Sequence, residues 1–407
     1  MMAILGWLCV AVFVPATLLV VYQWILAVFS LYSPKTGMPA GPRKRATFLI
    51  LIPAHNEESS LPRTLENLQR LQYPKELVEI VVVADRCDDG TVAIAQKCGA
   101  RCLERTTGPS GKGAAIAWAT EELRKGDADF EALLILDADT IADPGALEAF
   151  NEGLLSGHRI QQGYCYISNP WDTPFTRIIA VTSVLRNQFF YRGKAVAGLS
   201  GMLVGTGMCF GHEIVRHYGW TAFSVAEDAE FSVSLLLAGE AIHFNPRARV
   251  FQLESRSLQQ ASGQRLRWAG GRSAIAVRSA WALFRTGLRR RSPYLLDAGL
   301  TLAAPNYSSQ ATAALIGLCA ARLVSASEAW QFLWTWAGLL VGSLTAYFLL
   351  GVAFTDAPRK TLTGMALIPL FLPWRMAIEV LGLLGYGRGR WIHTPRTSAS
   401  NPTANNP

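Results

Sequence analysis

Ala132-Leu133-Leu134-Ile135-Leu136, followed at once by Asp137-Ala138-Asp139, is the stretch that decides how this chain is read. Five apolar residues without a polar interruption fit a strand buried on both faces, as in parallel sheets covered by helices. Two carboxylates directly after such a strand stand where open α/β sheets bind ligands, outside the carboxyl ends of the strands. The alternation of an extended chain predicts Asp137 and Asp139 on one side of it. By itself an Asp-x-Asp is explained as well by a solvated turn, so the surrounding sequence has to decide.

Working upstream, the same alternation recurs. Ala46 to Ile52 is an apolar run ending at Pro53, read as a buried strand, and Ser59 to Leu71 has helical spacing with Ser59 or Ser60 as N-cap. Glu79 to Val83 is a β-branched strand ending at Asp85, with Arg86-Cys87-Asp88-Asp89-Gly90 after it. Thr91 to Cys98 reads as helix and Arg101 to Leu103 as a short strand. Gly111-Lys112-Gly113 opens a helix running to Arg124, where backbone N–H groups and a lysine can meet an anion. Strands alternating with helices predict an α/β domain with a mostly parallel sheet. Downstream, Glu227-Asp228 lies just before a helix over Phe231 to Ala238, where acidic residues also suit the helix dipole.

The rest of the chain is of another kind. Half of the 407 residues are hydrophobic, more than a soluble enzyme of this length carries. Ile4 to Tyr32 is almost wholly apolar, has no basic start, and is long enough to span a bilayer with tilt. Lys35, Arg43, Lys44 and Arg45 follow it, so the positive-inside rule puts the next segment in the cytosol. Tyr294 to Ala320, Trp330 to Phe354 and Leu362 to Tyr386 are candidate spans, the last containing Arg375 and Glu379. Arg388, Arg390 and Arg396 pull the tail towards the cytosolic side, against an even count of spans. Thr397 to Pro407 has the composition of a disordered end.

The net charge of +8 raises the question of nucleic acid. Its placement answers against it. Ser255 to Ser292 carries nine arginines and no acidic residue, interleaved with Leu266, Trp268, Ile275, Trp281 and Phe284. Trp171 to Leu199 mixes Phe175, Ile178, Ile179, Leu185, Phe189 and Phe190 with Arg177, Arg186, Arg192 and Lys194. Both read as basic amphipathic helices on an anionic membrane face, with membrane lipids rather than nucleic acid as the partner. Seven cysteines without a CxxC pair argue against a zinc site and suit a reducing compartment. His55 and His243 are read as structural histidines rather than metal ligands.

Taken in order, Pro53-Ala54-His55-Asn56-Glu57-Glu58, Ala84-Asp85-Arg86-Cys87-Asp88-Asp89, Asp137-Ala138-Asp139, Gly205-Thr206-Gly207, Glu227-Asp228 and Gln264-x-x-Arg267-Trp268 resemble the family 2 glycosyltransferases. The similar branch is the membrane-bound one of cellulose, chitin-oligosaccharide, hyaluronan and poly-N-acetylglucosamine synthases. The resemblance covers roughly Ala46 to Gly271, and the combination is far more specific than any one motif. It implies a GT-A-like, Rossmann-like domain over 46–255, after an N-terminal transmembrane helix over 1–33. A basic interface segment over 256–292, a transmembrane region over 293–387 and a polar tail over 388–407 would follow.

The resemblance also implies roles. Pro53, Glu57, Asp85, Lys112, Asp137, Gln264, Arg267 and Trp268 would bind a UDP-sugar donor, Asp85 taking the base and Lys112 the diphosphate side. Asp139, with Asp137, would ligate Mg2+ or Mn2+. Gly205, Thr206, Gly207, Glu227 and Trp268 would line the acceptor site, and Asp228 would be the general base of an inverting displacement. The acceptor would be a growing polysaccharide or, in the alternative, a membrane lipid. A silent subunit that binds nucleotide or polymer is a further alternative, and partner subunits are not specified. Location in a bacterial cytoplasmic membrane, with the catalytic domain in the cytosol, completes the expectation. Two departures stand out: Ala226 occupies a position where the synthases often have threonine, and the spans are few for a polymer channel.

Overall fold

The computed structural model describes residues 2–32, 44–125 and 129–387. Lys35, Arg43 and the tail from Arg388 onward, with Arg390, Arg396 and 397–407, lie outside the described residues. The topology and the disordered end read from them therefore rest on sequence alone.

Eight strands form one sheet: β1 Phe48–Ala54, β2 Val78–Asp85, β3 Arg101–Arg105, β4 Ala132–Ile135, β5 Thr140–Ala142, β6 Ile160–Ile167, β7 Met208–Gly211 and β8 His243–Gln252. Their order is β3-β2-β1-β4-β7-β6-β8-β5. β3, β2, β1 and β4 are mutually parallel, and β6 is parallel to β8. β7 runs antiparallel to β4 and β6, and β5 antiparallel to β8. Phe48 pairs with both Val78 and Ala132, so the strands are in step and Ala54, Asp85 and the residues after Ile135 leave the sheet at one edge.

Alternate residues of each strand feed opposite faces. Leu49, Leu51, Val81, Val83, Leu133 and Ile135 pack on one face with Ala115, Ile116, Leu123, Phe231, Ile275 and Leu283 from three helices. Those helices are Lys112–Lys125, Glu227–Ala238 and Leu258–Arg290. Phe48, Ile50, Ile52, Val82 and Leu134 face the other way, onto Leu61, Leu65, Ala95, Leu147 and Phe150. Burial on both sides is why these strands read as continuous apolar runs.

Three helical stretches among the described residues are long and apolar enough to cross a membrane: Met2–Leu31, Glu328–Ala353 and Pro358–Leu383. The span expected over Tyr294 to Ala320 is not one helix. It breaks into Pro293–Ala303 and Tyr307–Val324. Pro305 forces the residue before it out of the helical region, and Ala304 is extended at ψ 136. Asn306 then restarts the chain as an N-cap, its side chain accepting from the Ser309 N–H.

A second correction concerns Trp171 to Leu199. It forms a continuous helical run, Pro174–Val184, a π-helical Leu185–Tyr191 and Arg192–Val196. Its apolar residues are covered by protein rather than offered to lipid. Phe175, Ile178 and Ile179 pack on Phe371, while Val184, Leu185 and Phe189 pack on Ala27, Tyr347 and Val352. Leu258–Arg290 behaves as an amphipathic helix should: Val277, Trp281 and Leu288 are exposed at 78%, 70% and 66%.

Candidate active site

The site is assembled at the sheet edge where β1, β2 and β4 end. β4 stops at Ile135, one residue earlier than its apolar run, and Asp137-Ala138-Asp139 forms a turn closed by the Thr140 N–H donating to the Asp137 carbonyl at 3.0 Å. The same-side argument from strand alternation therefore does not apply to Asp137 and Asp139. The turn sends the chain into β5, which pairs with the end of β8. Thr206 fixes it: the Asp137 N–H donates to the Thr206 hydroxyl at 3.0 Å, and Thr206 and Thr140 hydroxyls are 3.0 Å apart.

Lys112 stands at the centre. Its ammonium pairs with Asp137, donates to the Gly205 carbonyl at 2.5 Å, and lies 3.6 Å from a Glu227 oxygen. It can reach them because Gly113, next to it, lets its helix approach the Ala222 carbonyl, where any Cβ would collide. Gly205 itself has φ +91, in the left-handed region glycine favours, and a Cβ there would sit 3.5 Å from Asp228 and 3.6 Å from Lys112. Glu227 and Asp228 are not ahead of their helix, as the sequence suggested, but its first two residues.

Burial alone would push the Lys112 ammonium down, but Asp137 and Glu227 outweigh it and hold its pKa above the ordinary lysine value. Burial pushes the Glu227 carboxyl up, against the pull of Lys112 and with the push of Asp228. Burial also pushes Asp228 up, while the Ala229 N–H, donating at 2.7 Å, and Lys112 restrain it. Such carboxyls, raised by desolvation and poised beside charges, are the setting of acid–base groups.

Asp85 forms a second centre. At the end of β2 it is two strand spacings from β4, on the order of 10 Å. Its carboxylate accepts from the buried Arg105 at 2.6 Å and from Arg86 at 3.3 Å. The same two arginines donate to the Pro109 carbonyl at 2.6 and 2.8 Å, steadying the loop that leads to Lys112. His55 bridges Nδ1 to the Asp85 carbonyl oxygen at 2.7 Å, a structural role. Pro53 is inside β1, beside Val83. Glu57 accepts from the Ser60 hydroxyl, and its own N–H donates to Thr91.

The long helix Leu258–Arg290 brings Arg267 to the first centre, where the Glu227 and Asp137 charges act on its guanidinium. Gln264 is half-buried on the same helix. Trp268 stands apart: it is 42% exposed, with the Arg265 guanidinium 5.0 Å over its ring. Arg105, Gln252 and Gln162 escaped the sequence reading. Gln252 donates to Asp137 at 3.0 Å, and Gln162 donates to the Thr206 carbonyl at 2.9 Å. Gln162 is a polar residue buried inside β6, a signal that could have marked it; Gln252 is the last residue of β8 and carries no such local mark.

Among the described residues no three His, Cys, Asp or Glu side chains converge into a metal cage. Two carboxylates at a turn are instead the donor set of a magnesium or manganese ion completed by substrate phosphates. Asp137 and Asp139 are of that donor type, and both Asp137 oxygens also accept from protein, one from Lys112 and the other from Gln252.

Residues 44–271 match the model of a family described as "Glycosyltransferase like family 2". The chain is 27% identical over 251 residues to a probable glycosyltransferase, YdaM, of Bacillus subtilis, covering 59% of each chain. It is 25% identical over 266 residues to a poly-beta-1,6-N-acetyl-D-glucosamine synthase of Staphylococcus epidermidis, covering 60% of this chain and 59% of that one. It thus spans about 59% of the length of these curated relatives. A mannosyltransferase of Pyrobaculum calidifontis, solved with GDP-Man and Mn2+, aligns with a TM-score of 0.56 and 18% identity over 93% of this chain and 99% of that one. That likeness is one of fold.

Proposed function

We propose, for a chain that belongs to glycosyltransferase family 2, that it is a membrane-bound inverting enzyme moving a hexosyl or N-acetylhexosaminyl unit from a UDP-sugar. The observation that carries the reading is the meeting of Lys112, Asp137, Glu227 and Asp228 where the parallel strands end. That edge is where α/β sheets bind nucleotides.

Asp85 receives the base, within the arginine frame of Arg105 and Arg86. Lys112 and Arg267 face the diphosphate and stabilise the charge that collects on it as the sugar leaves. Asp139, with Asp137, would hold Mg2+ or Mn2+, whose chemistry is to neutralise the leaving diphosphate. Asp228 takes the proton of the acceptor hydroxyl as its oxygen attacks the anomeric carbon from the face opposite the leaving group. Glu227, tied to Lys112, keeps the ammonium placed. Gly205 and Thr206 close the acceptor side, and Gly205 leaves the approach to Asp228 open.

The three apolar helical stretches hold this domain at a membrane. The exposed ridge of Val277, Trp281 and Leu288, flanked by Arg278, Arg285 and Arg289, suits the headgroup layer. A growing polysaccharide and a membrane lipid both fit as acceptors. The second is favoured because the Thr206 carbonyl meets Cys165, whose own carbonyl accepts from Asn187 of the helical run 174–196, and that run packs on the apolar helices.

The test is radiolabelled transfer by the full chain in lipid nanodiscs, from UDP-glucose and UDP-N-acetylglucosamine separately. Asp228→Asn should lower kcat by about 10²–10⁴-fold while UDP binding, read by calorimetry, survives. Undiminished transfer by that variant would remove Asp228 from its role. A long polymer would decide for the synthase reading, and a single sugar on an extractable lipid for the other.

A further inference from the structure

Three arginines around Tyr164 and Tyr191, on one side of Asp228, have no part in the chemistry above. Arg186, Arg249 and Arg272 come from the π-helical stretch, from β8 and from the helix Leu258–Arg290. All three are exposed, and none makes a salt bridge among the described residues. What they touch is neutral. Arg186 donates to the Cys165 carbonyl at 3.4 Å, Arg272 donates to the Thr301 carbonyl at 2.8 Å, and the Arg249 guanidinium lies 5.3 Å over the Tyr164 ring.

These arginines surround one place. Tyr164 pairs with Arg249 across β6 and β8, and the Cys165 carbonyl next to it receives Arg186. Tyr164 and Tyr191 both pack on Phe244, at 6.2 and 5.6 Å between ring centres. The Tyr191 hydroxyl lies within electrostatic reach of Arg272, Arg186 and Asp228. The Cys165 thiol, which meets the Thr206 carbonyl at 3.4 Å, is within reach of Arg186, Asp137, Lys112 and Asp228. The basic cluster therefore adjoins the general base on its acceptor side, across Gly205-Thr206-Gly207 from the carboxylate turn.

Asp356 lies within electrostatic reach of Tyr164, beside Arg249 and Arg186, but pairs with none of the three in a salt bridge among the described residues, so the cluster keeps a positive excess that an anion would match. On the reading above, the donor diphosphate is met by Lys112 and Arg267, and by the ion that Asp139 with Asp137 would hold. Resting on the transferase reading above, we propose that the acceptor is a hydroxyl-bearing anionic lipid headgroup, its phosphodiester held by Arg186, Arg249 and Arg272 while its hydroxyl faces Asp228. The lipid source follows from position: the stretch that carries Arg186 buries Leu185 and Phe189 against Ala27, Tyr347 and Val352 of two apolar helices. The hydroxyl follows from the base, since a phosphate oxygen used as nucleophile would have no proton to give it. In the step, the headgroup oxygen bonds to the anomeric carbon, its proton passes to Asp228, and the bond to the β-phosphate oxygen breaks with its electrons leaving on UDP.

The experiment uses the full chain in phosphatidylcholine nanodiscs, with the labelled donor that releases UDP. Phosphatidylglycerol and phosphatidylinositol are the charged probes, diacylglycerol the neutral one, and soluble glycerol 3-phosphate separates headgroup from lipid. Labelled product should form on the charged lipids, and Arg186→Ala and Arg272→Ala should each raise the lipid KM about tenfold or more. Arg186→Lys should recover part of that loss, a melting curve should show each variant folded, and Arg216→Ala, on a distant exposed helix, should behave as wild type. Equal transfer to diacylglycerol, transfer to glycerol 3-phosphate alone, or UDP release with no lipid product would each overturn the proposal and leave the transferase reading standing. Absence of UDP release and of UDP binding would sink both.

Discussion

Replacing Lys112 by methionine isolates what its charge does, because methionine keeps most of the stem and removes the ammonium. In the structure that ammonium answers Asp137 and Glu227, whose side chains are 28% and 11% exposed, while its own is 17% exposed. Removing one member of a buried pair costs about 3–5 kcal/mol, because the survivor is left charged and dry. Water reaches part of the cluster, so about 3 kcal/mol is the expected loss. At roughly 1 °C per kcal/mol in a chain of this size, the melting point should fall by about 3–4 °C. The loss should carry a pH signature. Burial already raises Glu227, and without Lys112 it rises further. A carboxyl whose folded pKa exceeds its unfolded value stabilises the fold while protonated, and that contribution disappears as pH rises through the folded pKa. Because Glu227 already stands at about 7 with Lys112 present, wild type and variant lose this contribution alike below that pH, and the deficit of Lys112→Met should grow as pH rises above about 7. Adding Glu227→Gln should restore much of the melting point and leave transfer defective. The assay is thermal melting in detergent from mildly acid to alkaline pH, on both sides of the Glu227 value of about 7, beside nanodisc transfer. Equal losses in the single and double variants, or a loss indifferent to pH, would show that Lys112 is not neutralising Glu227.

Three further outcomes are expected. Chelation should abolish transfer and added Mn2+ should restore it, whereas Asp139→Asn should stay inactive at the same Mn2+ concentration; transfer that survives exhaustive chelation would refute the carboxylate-bound ion. His243 stacks on His158 at 3.6 Å, and burial with the His158 charge pushes it down to about 4. The folded protein thus refuses a proton the unfolded chain accepts, so stability should fall by roughly 3 kcal/mol as pH drops from about 6.5 to about 4, and His243→Phe should flatten that part of the melting-point curve. Gly193 lies against the Leu26 carbonyl of the N-terminal apolar helix, where a Cβ would collide; Gly193→Ala should cost about 1–3 kcal/mol and make the N-terminal helix more accessible to protease, with an unchanged digestion pattern counting against that docking.

What could be read from the chain was whatever a strand or helix carries by itself. Val81, Val82 and Val83 announce a doubly buried strand wherever they are met, and so β1, β2 and β4 were placed within a residue or two. The errors fall where a distant segment overrides the local pattern. Leu136 looks like a fifth strand residue, yet β4 ends before it because the turn at Asp137 is tied to Thr206 and to β5, whose partner β8 ends more than a hundred residues later. Trp171 to Leu199 has the composition of a lipid-facing amphipath, but its apolar side found Ala27, Tyr347 and Phe371 instead. Arg105 looked like any arginine at the end of an edge strand. It is buried only because Asp85, on the neighbouring strand, offers it a carboxylate at 2.6 Å. The site is a case of the same rule. Each of Lys112, Asp137, Glu227 and Asp228 has a plausible local reading as a helix-terminal or turn residue. Their chemistry appears only when Gly113 and Gly205 let three separate segments close on one ammonium, and no local pattern records that closure.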